Sequence, residues 1–187
     1  MTESTPVVYQ TINMNSPFPL SIIPNSSRNF EKYVQDLVFT HYHSDFEVVL
    51  ITKGKIDFYL NTKRYHLKEK DLLLIPPKSV HRGVRFENWE CEFTAIVFKP
   101  EILLFHKNHI CRTMILDSLT QGGWVPTAPI SSESDTGKEA IACFKNILKE
   151  HQTQGLGYEL AITAELLKIC MAALRERAII KQQGDEE

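Results

Sequence analysis

Between residues 19 and 99 the chain is a succession of short strand-forming runs with no helical stretch between them. The runs are rich in β-branched and aromatic residues, and turn signals such as Lys53-Gly54 and Pro76-Pro77 separate them. About eight such runs in succession predict an antiparallel sandwich or a small barrel. The runs are LSII, LVFTHYH, FEVVLIT, KIDFYL, RYHL, DLLLIPP, VHRGVRF and CEFTAIVF.

The spacing of apolar residues changes after Pro100, where a short helix can begin. Residues 107–133 contain a Gly-Gly pair and two prolines, and this composition predicts an irregular connection. Thr136 and Glu139 then have capping-box spacing ahead of an amphipathic helix that the glycines near residue 156 end. We therefore expect a β domain followed by a helical hairpin.

The last predicted helix has apolar residues on two faces. One set alternates spacings of four and three residues, as in a heptad seam: Leu160, Ala164, Leu167, Met171, Leu174 and Ala178. The other set comprises Ile162, Leu166 and Ile169. A helix with two apolar faces is either buried on both sides within its own chain or packed on a second subunit, and we favour the second subunit.

Charge and cysteine content exclude some classes of function. The chain has 21 Lys+Arg and 23 Asp+Glu, a net charge of −2, so it has no basic field for binding nucleic acid. No signal peptide or membrane-spanning run is predicted. The four cysteines are scattered without a CxxC pair, which is typical of reduced thiols. We expect a cytoplasmic protein.

The run HYHSDFEVVLITKG carries the densest group of candidate ligands. Because strand residues alternate between faces, His41, His43 and Glu47 project to the same side. Imidazoles and a carboxylate suit a divalent ion such as Zn, Ni, Fe or Mn. The same groups can instead hydrogen-bond an organic ligand or satisfy one another inside a barrel, and the spacing leaves these three alternatives open.

The spacing from His41 through Glu47 to Gly54 resembles the first cupin motif, and DLLLIPPKSVHRGVR resembles the second, with Pro76 before His81. In metal-binding cupins the ligands are the residues that match His41, His43, Glu47 and His81. Lysines 70 and 78 stand where the second motif has glycines, which implies a different turn or local backbone strain.

The chain as a whole resembles the N-terminal regulatory domain of AraC-type transcriptional regulators over nearly all of residues 36–182. FTAIVFKPEIL and GYELAITAELLKICMAALRER carry this resemblance beyond the cupin motifs. It implies a small-molecule-sensing, non-enzymatic domain that forms a homodimer through the C-terminal helix. Such a domain contacts DNA only through a C-terminal helix-turn-helix domain, which is missing from this chain. The rival interpretation is a small metal-dependent cupin enzyme, an isomerase or a dioxygenase.

Further ligand-binding candidates follow from alternation and from this resemblance. Phe58, Phe93 and Ala95 are predicted to line the barrel interior. In the family's sugar-sensing members, the positions that match Arg82, Phe93 and Ala95 lie at the sugar site. Arg82 and Arg85, close to His81, instead suggest an anionic group on the ligand, although both could be solvated at the rim. The predicted effector is therefore a sugar or a small anionic metabolite.

The predicted fold is mainly β with C-terminal helices: a cupin-like double-stranded β-helix (jelly-roll) barrel and then a helical hairpin. The predicted units are an N-terminal arm (1–18), the barrel (19–106), a connecting loop (107–133), the dimerisation hairpin (134–182) and the start of a linker (183–187).

Overall fold

One long strand belongs to both sheets of the barrel. The computed structural model describes residues 7–12, 14, 17–32, 34–104, 110–121 and 124–181. The strands are β1 (Val8–Tyr9), β2 (Leu20–Ser26), β3 (Asp36–Tyr42), β4 (Phe46–Leu60), β5 (Lys63–Lys68), β6 (Asp71–Ile75), β7 (His81–Arg85), β8 (Cys91–Phe98), β9 (Trp124–Pro126), β10 (Ile130–Ser131) and β11 (Ile179–Lys181). The α-helices are α1 (Asp117–Gln121), α2 (Asp135–Thr153) and α3 (Tyr158–Arg175).

The first half of β4 pairs with β6 and β8, and its second half pairs with β5 and β7. The strand changes sheets at Gly54, next to a break in register between Ile51 and Lys53. Gly54 has φ +75°, and a Cβ there would lie 1.7 Å from the Glu90 carbonyl oxygen. Only glycine fits this bend without displacing the neighbouring backbone. Strands β1 and β3 complete one sheet, and β2 and β10 complete the other.

Alternation along β4 separates two apolar cores. Phe46, Val48 and Leu50 belong to the core that the helices share, together with Phe144 of α2 and Ile162 of α3. Val49 and Ile51, on the opposite face, belong to the core of the barrel interior. The helical hairpin therefore covers the outer face of one sheet, and the predicted jelly-roll barrel followed by a helical hairpin is confirmed.

The structure corrects the helix start that the sequence predicted. Ser134 is the N-cap of α2, and its Oγ accepts a hydrogen bond from the Gly137 N–H at 2.9 Å. Thr136 and Glu139 lie within the helix, so they form no capping box around its start. Thr136 and Glu139 have the spacing of a capping box. The residue that caps the helix is nevertheless Ser134, two residues before Thr136, because its hydroxyl accepts from a free N–H group of the first turn. The helix ends at Thr153, and its C-cap residue, Gln154, has φ 46°.

Two stretches contain more regular structure than the sequence predicted. Residues 107–133 were expected to be irregular, but they include a π-helical turn (Arg112–Leu116), α1, β9 and β10. Strand β1 lies within the predicted arm and pairs in parallel with β3. Strands β1, β9 and β10 each pair with a strand distant in sequence, and local patterns do not report such pairing. The predicted linker, residues 183–187, lies outside the described residues.

The two apolar faces of α3 have different surroundings. Ile162, Leu166 and Ile169 are buried in the shared core. Along the seam, Leu160 is 78% exposed and Leu167, Met171 and Leu174 are half-buried. Among the described residues, no helix has the length and apolar character needed to cross a membrane.

Candidate functional site

Three histidines and one glutamate converge inside one end of the barrel. His41, the residue before the last of β3, lies opposite His81, the first residue of β7, in the antiparallel register. His43 follows β3, and Glu47 is the second residue of β4. All four are buried, and one ligand atom from each lies within 4.8 Å of the others. We call this group the histidine cluster, and its end of the barrel the histidine end.

Backbone carbonyls fix the orientation of every ring in the cluster. The Nδ1 atoms of His41, His43 and His81 lie 2.8, 3.0 and 2.9 Å from carbonyl oxygens two residues away in sequence. A carbonyl oxygen only accepts hydrogen bonds, so Nδ1 carries the hydrogen in each ring. The neutral form of each ring therefore has its lone pair on Nε2. This is the tautomer that metal-binding histidines adopt when a second group holds Nδ1.

Glu47 is the anionic centre of the cluster. Its Oε2 lies 3.1 Å from His43 Nε2 and 3.2 Å from His81 Nε2. Among the described residues, His81 Nε2 has no hydrogen-bond partner of suitable geometry. A buried nitrogen without a partner is costly. A cation or a donor placed between these atoms would satisfy it.

Burial and the neighbouring members of the histidine cluster shift the pKa values of Glu47, His81 and His41. Burial alone would raise the pKa of Glu47, but the two neighbouring histidines outweigh burial and lower the pKa to about 2. Burial likewise opposes protonation of His81, but Glu47 outweighs it and raises the pKa of His81 above its usual value. Burial and the adjacent His81 ring lower the pKa of His41. Glu47 is therefore ionised and attracts a positive charge to this point.

The residues fit a divalent ion. Metal–nitrogen and metal–oxygen bonds near 2.1 Å place ligand atoms at most about 4.2 Å apart, and the four candidate atoms are close to that arrangement. The donor set is three imidazoles and one carboxylate, with each imidazole held from behind by a carbonyl. This set is typical of Zn, Ni, Fe or Mn sites.

The aromatic and small residues predicted to line the interior do so. Phe58, Phe93 and Ala95 are buried in the interior core, and the Phe58 and Phe93 rings meet edge to face at 5.9 Å. Ile12 and Met14 are half-buried and pack against the same core. These two residues lie between β1, which ends beside Tyr42, and β2, which starts opposite Phe98. They therefore cover the interior at the histidine end.

The two arginines near His81 lie on different faces of β7. Arg82 points away from the interior, with its guanidinium carbon 4.5 Å from the centre of the Tyr59 ring. Arg82 therefore does not face the barrel interior that the His81 side chain faces, because adjacent strand residues face opposite sides. Arg85 is buried at the far end of β7. Sequence reasoning placed it either against an anionic ligand close to His81 or in solvent at the rim. It missed the contacts of Arg85, since these come from the distant segment that joins β2 to β3.

Known proteins resemble this chain at the level of the family and of the fold. The family model described as AraC-like ligand binding domain matches residues 24–169. A search among curated proteins finds no match.

Similar solved structures include a cupin-like protein from Thermotoga maritima, with 23% identity, 46% of this chain and 61% of that chain covered, and a TM-score of 0.40. A cupin protein from Bacteroides fragilis has 20% identity, coverage of 47% and 70%, and a TM-score of 0.38. A transcriptional regulator of the HTH_3 family from Vibrio cholerae has 13% identity, coverage of 48% of each chain, and a TM-score of 0.39.

Proposed function

The chain belongs to the family of AraC-like ligand-binding domains, and on that premise we propose that its barrel interior binds a small-molecule effector. The observation that carries the proposal is the histidine cluster. It places buried Nε2 atoms and an ionised carboxylate against an otherwise apolar interior. Buried polar groups of this kind cost several kcal/mol unless they are bonded to a partner. The effector, directly or through an ion, supplies that partner.

His41, His43, Glu47 and His81 would hold a divalent ion at the floor of this pocket. When bound, such an ion supplies a Lewis-acid site for an oxygen of the effector. The carbonyls of residues 39, 45 and 79 keep the rings oriented. Phe58, Phe93 and Ala95 supply the apolar wall against which the rest of the effector packs.

The N-terminal segment connects this pocket to the surface. Ile12 and Met14 cover the interior core at the histidine end, and β1 pairs with β3 so that Val8 lies opposite His41. An effector that enters at this end displaces the two apolar side chains and loosens β1. Its preference for the open state shifts the population of the two arrangements.

The seam of α3 is the proposed homodimer surface. Leu167, Met171 and Leu174 line a groove of about 460 Å³ together with Ile110, which is 70% exposed. An apolar groove of this kind is covered by an equivalent groove in a symmetric dimer. Sedimentation of the Leu167→Asp, Leu174→Asp double variant should give a folded monomer. Leu156→Asp, an exposed control between the helices, should stay dimeric, and a monomeric wild type would contradict the assignment.

In a full-length regulator, this domain would control an attached helix-turn-helix domain. The net charge of −2 provides no phosphate-binding field of its own. Effector binding would instead change how two attached DNA-binding domains are presented by the dimer.

A thermal-shift screen of sugars and small carboxylates tests the effector site. A ligand that binds the native state raises the melting temperature by mass action. Ala95→Leu, which crowds the interior, should abolish the shift of an active compound. Ala128→Leu makes the same change at an exposed position and should retain it. Equal shifts in both variants would place binding elsewhere, and conversion of the compound would favour the enzyme interpretation.

A further inference from the structure

Arg85 is a buried cation for which the described part of the chain provides no anion. It is 9% exposed and lies at the last position of β7, about 13 Å along the strand from His81. Its Nε donates to the Val34 carbonyl at 3.2 Å, and its Nη2 lies 3.3 Å and 3.4 Å from the carbonyls of Ser27 and Glu31. No carboxylate among the described residues forms an ion pair with it.

Three carbonyls orient this guanidinium without neutralising it. Two of the three hydrogen bonds are long, and carbonyl dipoles compensate a buried positive charge only in part. None of the described hydrogen bonds uses Nη1, although a guanidinium has five N–H groups in a rigid fork. The arrangement therefore holds the fork in place and leaves part of it available to an acceptor.

Arg85 opens onto a cavity of about 680 Å³ at its end of the barrel. The cavity is also lined by Arg28, Lys32, Phe30, Asn88 and Glu90. A volume of this size is typical of small-molecule sites. The position is separate from the histidine cluster, which lies at the other end of β7.

Charge in the cavity favours an anion. The cavity is lined by Arg28, Lys32 and Arg85 and by one acidic side chain, Glu90. Glu90 lies 2.8 Å from Arg28 and 3.5 Å from Lys53. Because Arg28 and Glu90 pair with each other, Lys32 and Arg85 are the cations left for a ligand. Phe30 contributes an apolar surface, since it packs on the edge of the interior core. A ligand that suits these groups carries an oxyanion on a small apolar body.

We propose that this cavity is a second ligand site, which binds a small organic anion through Arg85 and Lys32. The carboxylate or phosphate group of the ligand accepts from the Arg85 fork, and its apolar part lies on Phe30. The site would let the domain respond to an anionic metabolite independently of the effector at the histidine end. The proposal stands whether or not the histidine cluster binds an effector.

Calorimetric titration with benzoate and phenyl phosphate, at constant ionic strength, tests the site. Both probes combine an oxyanion with an aromatic ring, and benzyl alcohol is the uncharged control. Saturable binding of at least one anionic probe, without binding of benzyl alcohol, is expected. Failure of both anionic probes to bind would overturn the proposal.

Three exposed positions locate the binding without disturbing the core. Lys32→Ala should weaken the anionic probe about tenfold, the effect of losing one charge-assisted hydrogen bond. Lys145→Ala, an exposed lysine of α2, should leave affinity unchanged. Glu90→Gln removes the acid of the cavity and should strengthen binding, a gain that a purely structural role of Arg85 would not produce. Equal affinities across the wild type and all three variants would overturn the assignment.

Discussion

The histidine cluster and Arg85 are both buried polar groups of one barrel, yet their charges are handled differently. In the cluster, the chain supplies a buried carboxylate, because Glu47 Oε2 lies within 3.2 Å of two histidine Nε2 atoms. At Arg85 the described chain supplies only carbonyl oxygens. Burial is similar at the two ends, so burial alone does not identify the ligand. The kind of partner that each group lacks identifies its ligand. Converging nitrogen lone pairs bind a cation, and a guanidinium without a carboxylate partner binds an anion.

The largest expected effect is at Glu47. Glu47→Ala leaves the buried histidines without their carboxylate and should cost about 3–5 kcal/mol of unfolding free energy. Chemical denaturation measures the change. Glu139→Ala, on the exposed face of α2, is the matched control and should cost little. A cost below about 1 kcal/mol at Glu47 would show that the cluster is not held together by this charge.

A smaller effect is expected at Arg85, because no ion pair is broken there. Arg85→Met should cost about 1–3 kcal/mol, the range for leaving buried carbonyls without a donor. Arg177→Met, at an exposed position after α3, is the control. Denaturation of both variants, with and without phenyl phosphate, separates structure from binding: the anion should stabilise the wild type and Arg177→Met but not Arg85→Met. Stabilisation of all three would place the anion elsewhere.

The smallest effect concerns two strained turns, one at each end of the barrel. Lys78 has φ 66° and donates its N–H to the His43 carbonyl at the histidine end. Lys70 has φ 67° and donates to Ile51 at the opposite end. Glycine tolerates this conformation, so Lys70→Gly and Lys78→Gly should each raise stability by about 0.5–1 kcal/mol. Melting temperatures check this, and a decrease in either variant would mean that the lysine side chain stabilises its turn.

Strand alternation was enough to predict most of the histidine end. A period of two is a local property, so it placed His41, His43 and Glu47 on one side, with Phe93 and Ala95 also inward. The motif's glycine positions likewise suggested a different turn or local strain at Lys70 and Lys78, and both have positive φ. These features depend on neighbours in sequence, and the structure agrees with them.

The opposite end could not be predicted in this way. The contacts of Arg85 come from residues more than fifty positions away, and alternation says only that it faces the same side as His81. Alternation should have excluded Arg82 from the interior, because it is adjacent to His81 on the strand. Arg82 was predicted to be a ligand-binding residue only because of the resemblance to sugar-sensing members of the family. Strand β1 was missed because two residues gain a strand conformation only from pairing with β3.

The sensing function is tested most directly by the fate of a bound compound. A compound that is identified by thermal shift and that binds Lys32→Ala as tightly as the wild type is titrated into the wild type by calorimetry, and the recovered compound is examined by mass spectrometry. Binding of one molecule per chain, abolished by Ala95→Leu and followed by recovery of the unchanged compound, is the predicted result. Binding that Ala95→Leu leaves intact, or steady conversion of the compound to a product, would contradict it.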